Sequence, residues 1–417
     1  MDRLPAPNRP TPLRRSAMPS AGRPRRPSGT GAVLGAILDH GPVARSTVAR
    51  LTGLSPASVT GHCAQLLARG LIRESSETAG PRGLGRPHVP LEIDTGRYLV
   101  AGAHIAVAHS TLSLMDLRGR VVAEERQPHR GTGPQEVLSR LAVRLPRLVE
   151  AHAAGRTVLA LGVATGHRVD PVAGMVVDHP QLGWRGVAVR EHLTGRTGLP
   201  VQVDNHSRAL ARAEQLFGEV ATRAGVVLLF VGTVIDAAFS TAGSVHLGPR
   251  AGAGSVAHLP VATGEVAGAA EPCICGRPGC LHAAVSEPAM VRLAAQRGLF
   301  VPAFGHLLDT AMAGDPRAVA LFRHRAELVG RAAALLLDLF DPEVLVVVEP
   351  GIARLPECLA DLRAEVAERS AICDDPERAV LPGSFAGSVP ATAGGAVALA
   401  ALYADPLGPW PALTAAS

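Results

Sequence analysis

The spacing of apolar residues changes character near residue 90. Between residues 31 and 70 they recur at helical intervals. The run AVLGAILDHG reads as a short amphipathic helix ending at Gly41, and a second helix runs from about Ala44 through Val48, Ala49 and Leu51. Thr52, Gly53 and Leu54 form a tight turn, and Ser55 before Pro56 is an N-cap with proline at the first helical position. The third helix places Val59, Cys63, Leu66 and Leu67 on one face and stops at Gly70. Leu71, Ile72 and Arg73 read as a strand, and GPRGLGRPHVPLEI as a Gly/Pro/Arg hairpin tip with a returning strand.

Helix, helix, turn, helix, strand and basic hairpin is the order of a winged helix-turn-helix. In that arrangement the helix after the turn lies in the DNA major groove with its early residues toward base edges. Ser58, Thr60, Gly61 and His62 are then the candidate reading face, and Val59, Cys63 and Leu66 its core-facing back. Arg82 and Arg86 fall at the wing tip, where a guanidinium can enter the minor groove or clamp phosphate. A three-helix module that binds only protein has the same order. Small polar residues on the third helix and two wing arginines favour double-stranded DNA.

From Tyr98 the pattern turns α/β. LVAGAHIAVA, STLSLMDLRG and GRVVAEER predict three short strands joined by tight turns; a helix follows over about 134–151, and TVLALGVAT is a buried strand. VQVD is another strand, leading into a helix over 205–217. VVLLFVG opens a second series: AAFSTAGSV, then helices near 287–297 and 317–340, a strand at 344–348 and a last helix over 394–403. Periodicity predicts two α/β lobes, each opening on antiparallel strands.

Composition sharpens this picture. The 417 residues suffice for two or three domains, and the 47% hydrophobic fraction with few aromatics implies a core of Ala, Val and Leu. No lysine occurs, which excludes a Walker-type phosphate loop and any Schiff-base lysine. Residues 1–30 hold seven arginines against Asp2 alone, a net +6 in a chain whose total is +5. A basic, proline-rich tail on a near-neutral body is expected to be disordered and points to a polyanionic partner. Met18 offers a second start that would shorten the tail. No apolar run reaches membrane-spanning length, the first residues lack an apolar signal core, and the six cysteines suit a reducing cytoplasm.

Three of those cysteines lie within PCICGRPGCLH. Cys273, Cys275 and Cys280, loosened by Gly276 and Gly279, can wrap one tetrahedral soft ion, with zinc the expected metal. His258 or His282 could supply a fourth ligand. Three small buried hydrophobes, or one disulfide plus a spare thiol, are the alternatives, and the polar, turn-forming neighbours weigh against them.

The runs GAGSVAHLPV and CICGRPGCL together resemble the zinc signature of the ROK family, which holds sugar kinases and sugar-responsive transcription repressors. Residues from about 91 to 403 can be aligned with it. The resemblance implies a structural zinc on His258, Cys273, Cys275 and Cys280. It also implies a two-lobed actin-like ATPase (ribonuclease H-like) domain behind an N-terminal winged helix-turn-helix. The organisation expected is a disordered basic tail over 1–30, a DNA-binding domain over 31–90 and the ROK domain over 91–417. Its lobes should cover about 95–215 and 216–395, with the last helix returning to the first lobe.

The kinase motifs of that family are altered. In VDNHSRALARAE, Asn205 matches the family's Asn while His206 replaces the catalytic Asp, and Asp204, one position early, should point elsewhere. The first phosphate loop has Ala106 and Val107 for glycines and His104 for an Asp. The second reads Gly232, Thr233, Val234, Ile235, Asp236, with Asp236 expected beside the phosphate; a later triple glycine reads Glu349, Pro350, Gly351. Side chains where bare amides should meet phosphate leave no nucleotide site.

By the same resemblance Asn205, His206, Ser255, His258 and His282 should converge on one ligand cleft. Three family carboxylates are absent there and two have become histidine, so the cleft is expected to be neutral or cationic and its ligand anionic or poor in hydroxyl donors. Trp184 reads equally as a cleft residue or a packing residue. The expectation is a DNA-binding regulator, most often a repressor in this family, without enzyme activity. It would be a homodimer or tetramer on a double-stranded operator, answering to a small-molecule effector such as a sugar derivative. A divergent sugar kinase and an effector-independent DNA-binding protein are the competing readings.

Overall fold

The computed structural model describes residues 28–75, 89–218, 225–261 and 273–410. The first three helices form where the local signals put them. Helix α1 (Gly29–His40) is capped by Ser28, whose hydroxyl accepts from Gly31 N at 3.1 Å. Helix α2 (Arg45–Thr52) ends on Gly53, whose φ of 68° is a left-handed turn that glycine adopts without strain. Helix α3 (Pro56–Ala68) starts at Ser55, whose hydroxyl accepts from Ser58 N at 3.1 Å. Strands β1 (Ile72–Glu74) and β2 (Leu91–Ile93) pair antiparallel, Ile72 opposite Ile93. The hairpin tip between them, with Arg82 and Arg86, lies outside the described residues.

The core of this head does not close on itself. Ile37, Val48, Cys63 and Leu66 share one hydrophobic cluster with Tyr98, Met115, Leu399 and Tyr403 of the body. Polar contacts cross the same seam: Arg69 Nη1 donates to Gly408 O at 3.2 Å, Ser28 Oγ to Ala404 O at 3.3 Å and Arg118 Nη2 to Leu38 O at 3.4 Å. Head and first lobe are packed as one body.

The first lobe is built on β3 (Tyr98–Ile105), β4 (His109–Asp116), β5 (Val121–Pro128), β6 (Thr157–Thr165) and β10 (Val201–Asn205), in sheet order β10-β6-β3-β4-β5. The first three are an antiparallel meander, and β6 and β10 add in parallel. Helix α4 (Pro134–His152) covers the face bearing Leu99, Ala101 and Leu114, with α5 (Val189–Thr197) beside it. Between them β7 (Arg168–Asp170), β8 (Met175–His179) and β9 (Trp184–Val187) make a small antiparallel sheet that periodicity did not reveal. Its strands are too short for a period to register. Trp184 is buried there and its indole N–H donates to Thr132 O at 2.6 Å, so it is a packing residue. Helix α6 (His206–Phe217) leads out of β10.

The second lobe repeats the plan. Strands β11 (Val226–Val231), β12 (Ile235–Thr241), β13 (Ser244–Val245), β14 (Val344–Val348) and β15 (Val380–Pro382) are ordered β13-β12-β11-β14-β15, again an antiparallel set extended by parallel strands. Its helices are α7 (Leu281–Val285), α8 (Glu287–Gln296), α9 (Phe304–Met312), the long α10 (Pro316–Phe340), α11 (Pro350–Arg354), α12 (Pro356–Arg369) and α13 (Pro376–Ala379). The last helix, α14 (Val389–Ala404), starts earlier than its sequence suggested and returns to the first lobe. It touches the sheet backbone to backbone: a Cβ on Gly162 would lie 2.2 Å from Gly394 O, and one on Gly102 2.4 Å from Gly395 N. Only glycine permits that approach. Among the described residues no helix is long and apolar enough to cross a membrane.

Candidate nucleic-acid interface, metal centre and interlobe cleft

Ser58, Thr60 and Gly61 are exposed on α3, while Val59, Cys63 and Leu66 are buried behind them. His62 departs from the expected reading face. Its Nδ1 lies 2.9 Å from Thr30 Oγ1, and a Cβ on Gly29 would meet its Nε2 at 2.8 Å, so the ring is folded back on α1. Gln65, which the sequence did not single out, is exposed one turn further along.

The four expected metal ligands do converge. One ring nitrogen of His258 and the Sγ atoms of Cys273, Cys275 and Cys280 all lie within 4.8 Å of one another. Cys273 Sγ is 3.3 Å from His258 Nδ1, and Cys275 Sγ 3.6 Å from Cys280 Sγ. Four donors at ~2.0–2.3 Å from one tetrahedral ion would stand about this far apart. Burial holds His258 below its usual pKa, leaving a lone pair to donate. A short ladder supports the cluster: Val261 N donates to Gly279 O at 3.0 Å, Leu281 N to Leu259 O and His282 N to Ala257 O, both at 2.8 Å. His282 is therefore fixed by the ladder rather than by the cluster.

Between the lobes lies a buried polar network. Asn205 caps α6, its Oδ1 accepting from Ser207 N at 2.8 Å; its Nδ2 donates to His167 O at 2.7 Å and to Asp236 Oδ2 at 3.1 Å. Asp236 also accepts from His167 N at 2.8 Å and stands 3.4 Å from His206 Nε2. On its other side His206 Nδ1 is 3.4 Å from His104 Nε2. His167, at a φ of 60° that non-glycine residues seldom adopt, packs on His179 with ring centroids 4.7 Å apart and hydrogen-bonds Gln181. Gln181 Nε2 in turn lies 3.4 Å from His282 Nε2 of the second lobe. Asp204 points away, as expected, its carboxylate held by Arg208 Nη2 and Arg212 Nη1 at 2.6 Å each.

This geometry corrects the expected cleft in three ways. First, Ser255 is exposed and His258 belongs to the cysteine cluster, so the five candidates do not form one set. Secondly, a carboxylate is present after all, because Asp236 turns into the network instead of toward a phosphate. Burial works to raise its pKa, but the neighbouring His206 and the His167 amide outweigh burial and hold it low. Thirdly, of the two alternatives expected, neutral or cationic, burial favours the neutral form at three of the surrounding histidines. Burial, then the facing His206, keeps His104 far below its ordinary value; burial, then His167, takes His179 to about 3; burial also lowers His282. His167, His179 and Gln181 escaped sequence reading because no motif spacing links them to residues 205–206.

Where the resemblance places phosphate loops, buried side chains stand. Val234 is buried, and a Cβ on Gly166 would meet its Cγ1 at 2.9 Å. Glu349 caps α11 through Ile352 N at 2.6 Å and pairs with Arg325 Nη1 at 2.5 Å, both side chains buried. His104 is buried against His206.

Comparison with known proteins follows these lines. The ROK family model matches residues 100–401 and the MarR family model residues 27–80. A transcriptional regulator of Mycobacterium tuberculosis is 32% identical over 397 residues, spanning 91% of this chain and 87% of that protein. The DNA-binding transcriptional dual regulator NagC of Escherichia coli is 26% identical over 326 residues, 76% of this chain and 79% of its own. Among crystal structures, a ROK family transcriptional regulator described as a homolog of the E. coli MLC protein has a TM-score of 0.74 at 23% identity, covering 90% of this chain and 96% of that one. At that identity the likeness speaks for the fold.

Proposed function

The chain belongs to the ROK family, and from that premise we propose that it is a DNA-binding transcriptional regulator, acting as a repressor, whose two-lobed domain does no phosphoryl transfer. The observation that carries this reading is α3, exposed on a head that the MarR family model matches and that shares its core with the first lobe. Residues 31–90 would read a double-stranded operator, and 91–417 would sense and dimerise. Two heads of a homodimer, or paired dimers, would engage half-sites about 34–36 Å apart. The basic residues 1–30 would add affinity for phosphate without sequence preference.

Zinc is the metal that His258, Cys273, Cys275 and Cys280 fit. Four protein ligands leave no open position, so its part is structural. A small-molecule effector, a sugar derivative by family, would enter between the lobes beside His167, Gln181, His206 and His282 and shift their closure. One observation favours a second reading, effector-independent binding: both polar ends of Asn205 are already satisfied by the chain itself.

Selection of bound fragments from sheared genomic DNA, with and without sugars, tests the first reading against the second. A recovered consensus that a sugar abolishes supports an effector-gated repressor; a consensus indifferent to every sugar supports the second. Arg86→Ala should weaken binding to all sequences alike and reduce the salt slope by about one. Specific binding that survives deletion of 31–90 would refute the DNA-reading head. Calorimetry should find no heat of ATP·Mg binding, because the buried Val234 and Glu349 side chains would occupy the space expected for phosphate. Tight ATP binding, or phosphorylation of any hexose, would restore the kinase reading.

A further inference from the structure

Most of the polar groups that α3 could offer to a base edge are already held by the protein. Ser58 Oγ shares a hydrogen bond with Ser55 Oγ at 2.8 Å, and Thr60 Oγ1 donates to Pro56 O at 2.8 Å. His62 is folded back on Thr30 and Gly29. Arg69, just past the helix end, is drawn to Gly408 O. Gln65 differs: it is exposed, and among the described residues no hydrogen bond reaches its side chain.

Its position suits an outward reach. With ~3.6 residues per turn, Ser58, Gly61 and Gln65 fall on one face. Ala57, Gly61, Ala64 and Ala68 run alongside, all exposed and none longer than a methyl group. A helix with so little side chain in the way can lie close to the groove floor. From its third turn, a long uncharged amide can then reach a base. A glutamine amide carries a donor and an acceptor side by side, the pattern that matches adenine N6 and N7 in the major groove. Alanine methyls beside it suit thymine methyl groups.

We infer that Gln65 is the specificity-determining residue of this head, pairing with the edge of an adenine in each half-site. The inference rests on the DNA-reading role proposed above. In vitro selection from a randomised duplex library, with the full-length chain and its Gln65→Ala and Gln65→Glu variants, tests it. Melting temperature serves as a control for both variants and should be unchanged because Gln65 is exposed. Affinity for non-specific DNA should be unchanged in Gln65→Ala and lowered in Gln65→Glu, whose added negative charge faces the phosphates. The unaltered chain should select an A·T pair at one fixed place in each half-site. In Gln65→Ala preference at that pair alone should fall roughly ten-fold, and in Gln65→Glu it should move toward C·G, since a carboxylate accepts from cytosine N4. If Gln65→Ala selects the same consensus with undiminished preference, the assignment to Gln65 is overturned while DNA reading stands. If the unaltered chain selects no consensus, the DNA-reading role and this inference fail together.

Discussion

Cys280→Ser will leave the protein without bound zinc, against about one ion per chain before substitution, and will lower its melting temperature. Three thiolates and an imidazole do not sit together unaided. Hydrogen bonding at Arg277 pulls exposed Cys275 down to about 6, while burial and the neighbouring thiols push Cys280 up to about 12. A dication removes that conflict, because it stabilises all three thiolates at once. Apparent zinc affinities of structural sites correspond to roughly 10–16 kcal/mol, part of which is folding energy. Here that energy would hold the ladder of residues 257–261 on 279–282 and, through it, His282 against Gln181. Elemental analysis and thermal melts check the expectation, with Cys373→Ser as a control outside the cluster. A chelator should destabilise the unaltered protein and leave Cys280→Ser unaffected. A metal-free unaltered protein, or an unchanged melt for the variant, would refute it.

Acid should destabilise the fold steeply, well before carboxylates titrate. His104 and His179 are buried and held neutral, chiefly by desolvation. His206 and His109 face the first; His167 and His206 face the second, with Asp236 opposing them. In the unfolded chain both would protonate near pH 6.5. Below that value the unfolded state binds more protons than the folded one, so stability falls as pH falls. It is fully present above about pH 6.5 and declines by about 1.4 kcal/mol per pH unit for each group. For His179 the decline continues to its folded value, about 3. For His179 the loss between pH 6.5 and 5.5 is roughly 1 kcal/mol, against a total of about 5–15 kcal/mol, and His104 adds to it in the same direction. Asp236, whose pKa is depressed, keeps its contribution throughout this window and loses it only below the ordinary carboxylate range. Urea midpoints at pH 7.5 and 5.5 measure the slope. A double variant, His104→Gln with His179→Gln, should flatten it; equal midpoints for the unaltered protein at both pH values would contradict the argument.

The sequence alone determined whatever rests on neighbours along the chain. Ser55 and Pro56 start α3, Gly53 turns the chain before it, and three cysteines within eight residues announce the metal cluster, because caps, turns and chelate loops act over a few residues. Tertiary structure alone decided which side chains those positions turn toward. His62 belongs to the core-facing side because α1 crosses beside it, at Gly29 and Thr30. Asp236 became the partner of Asn205, 31 residues away, because β12 and the end of β10 meet between the lobes. His104 met His206 across 102 residues, and Gln181 met His282 across 101. The head became continuous with the body because α14 returns to pack beneath it. Periodicity records the face a residue occupies on its own element, whereas these contacts depend on how distant elements pack, which no local pattern encodes.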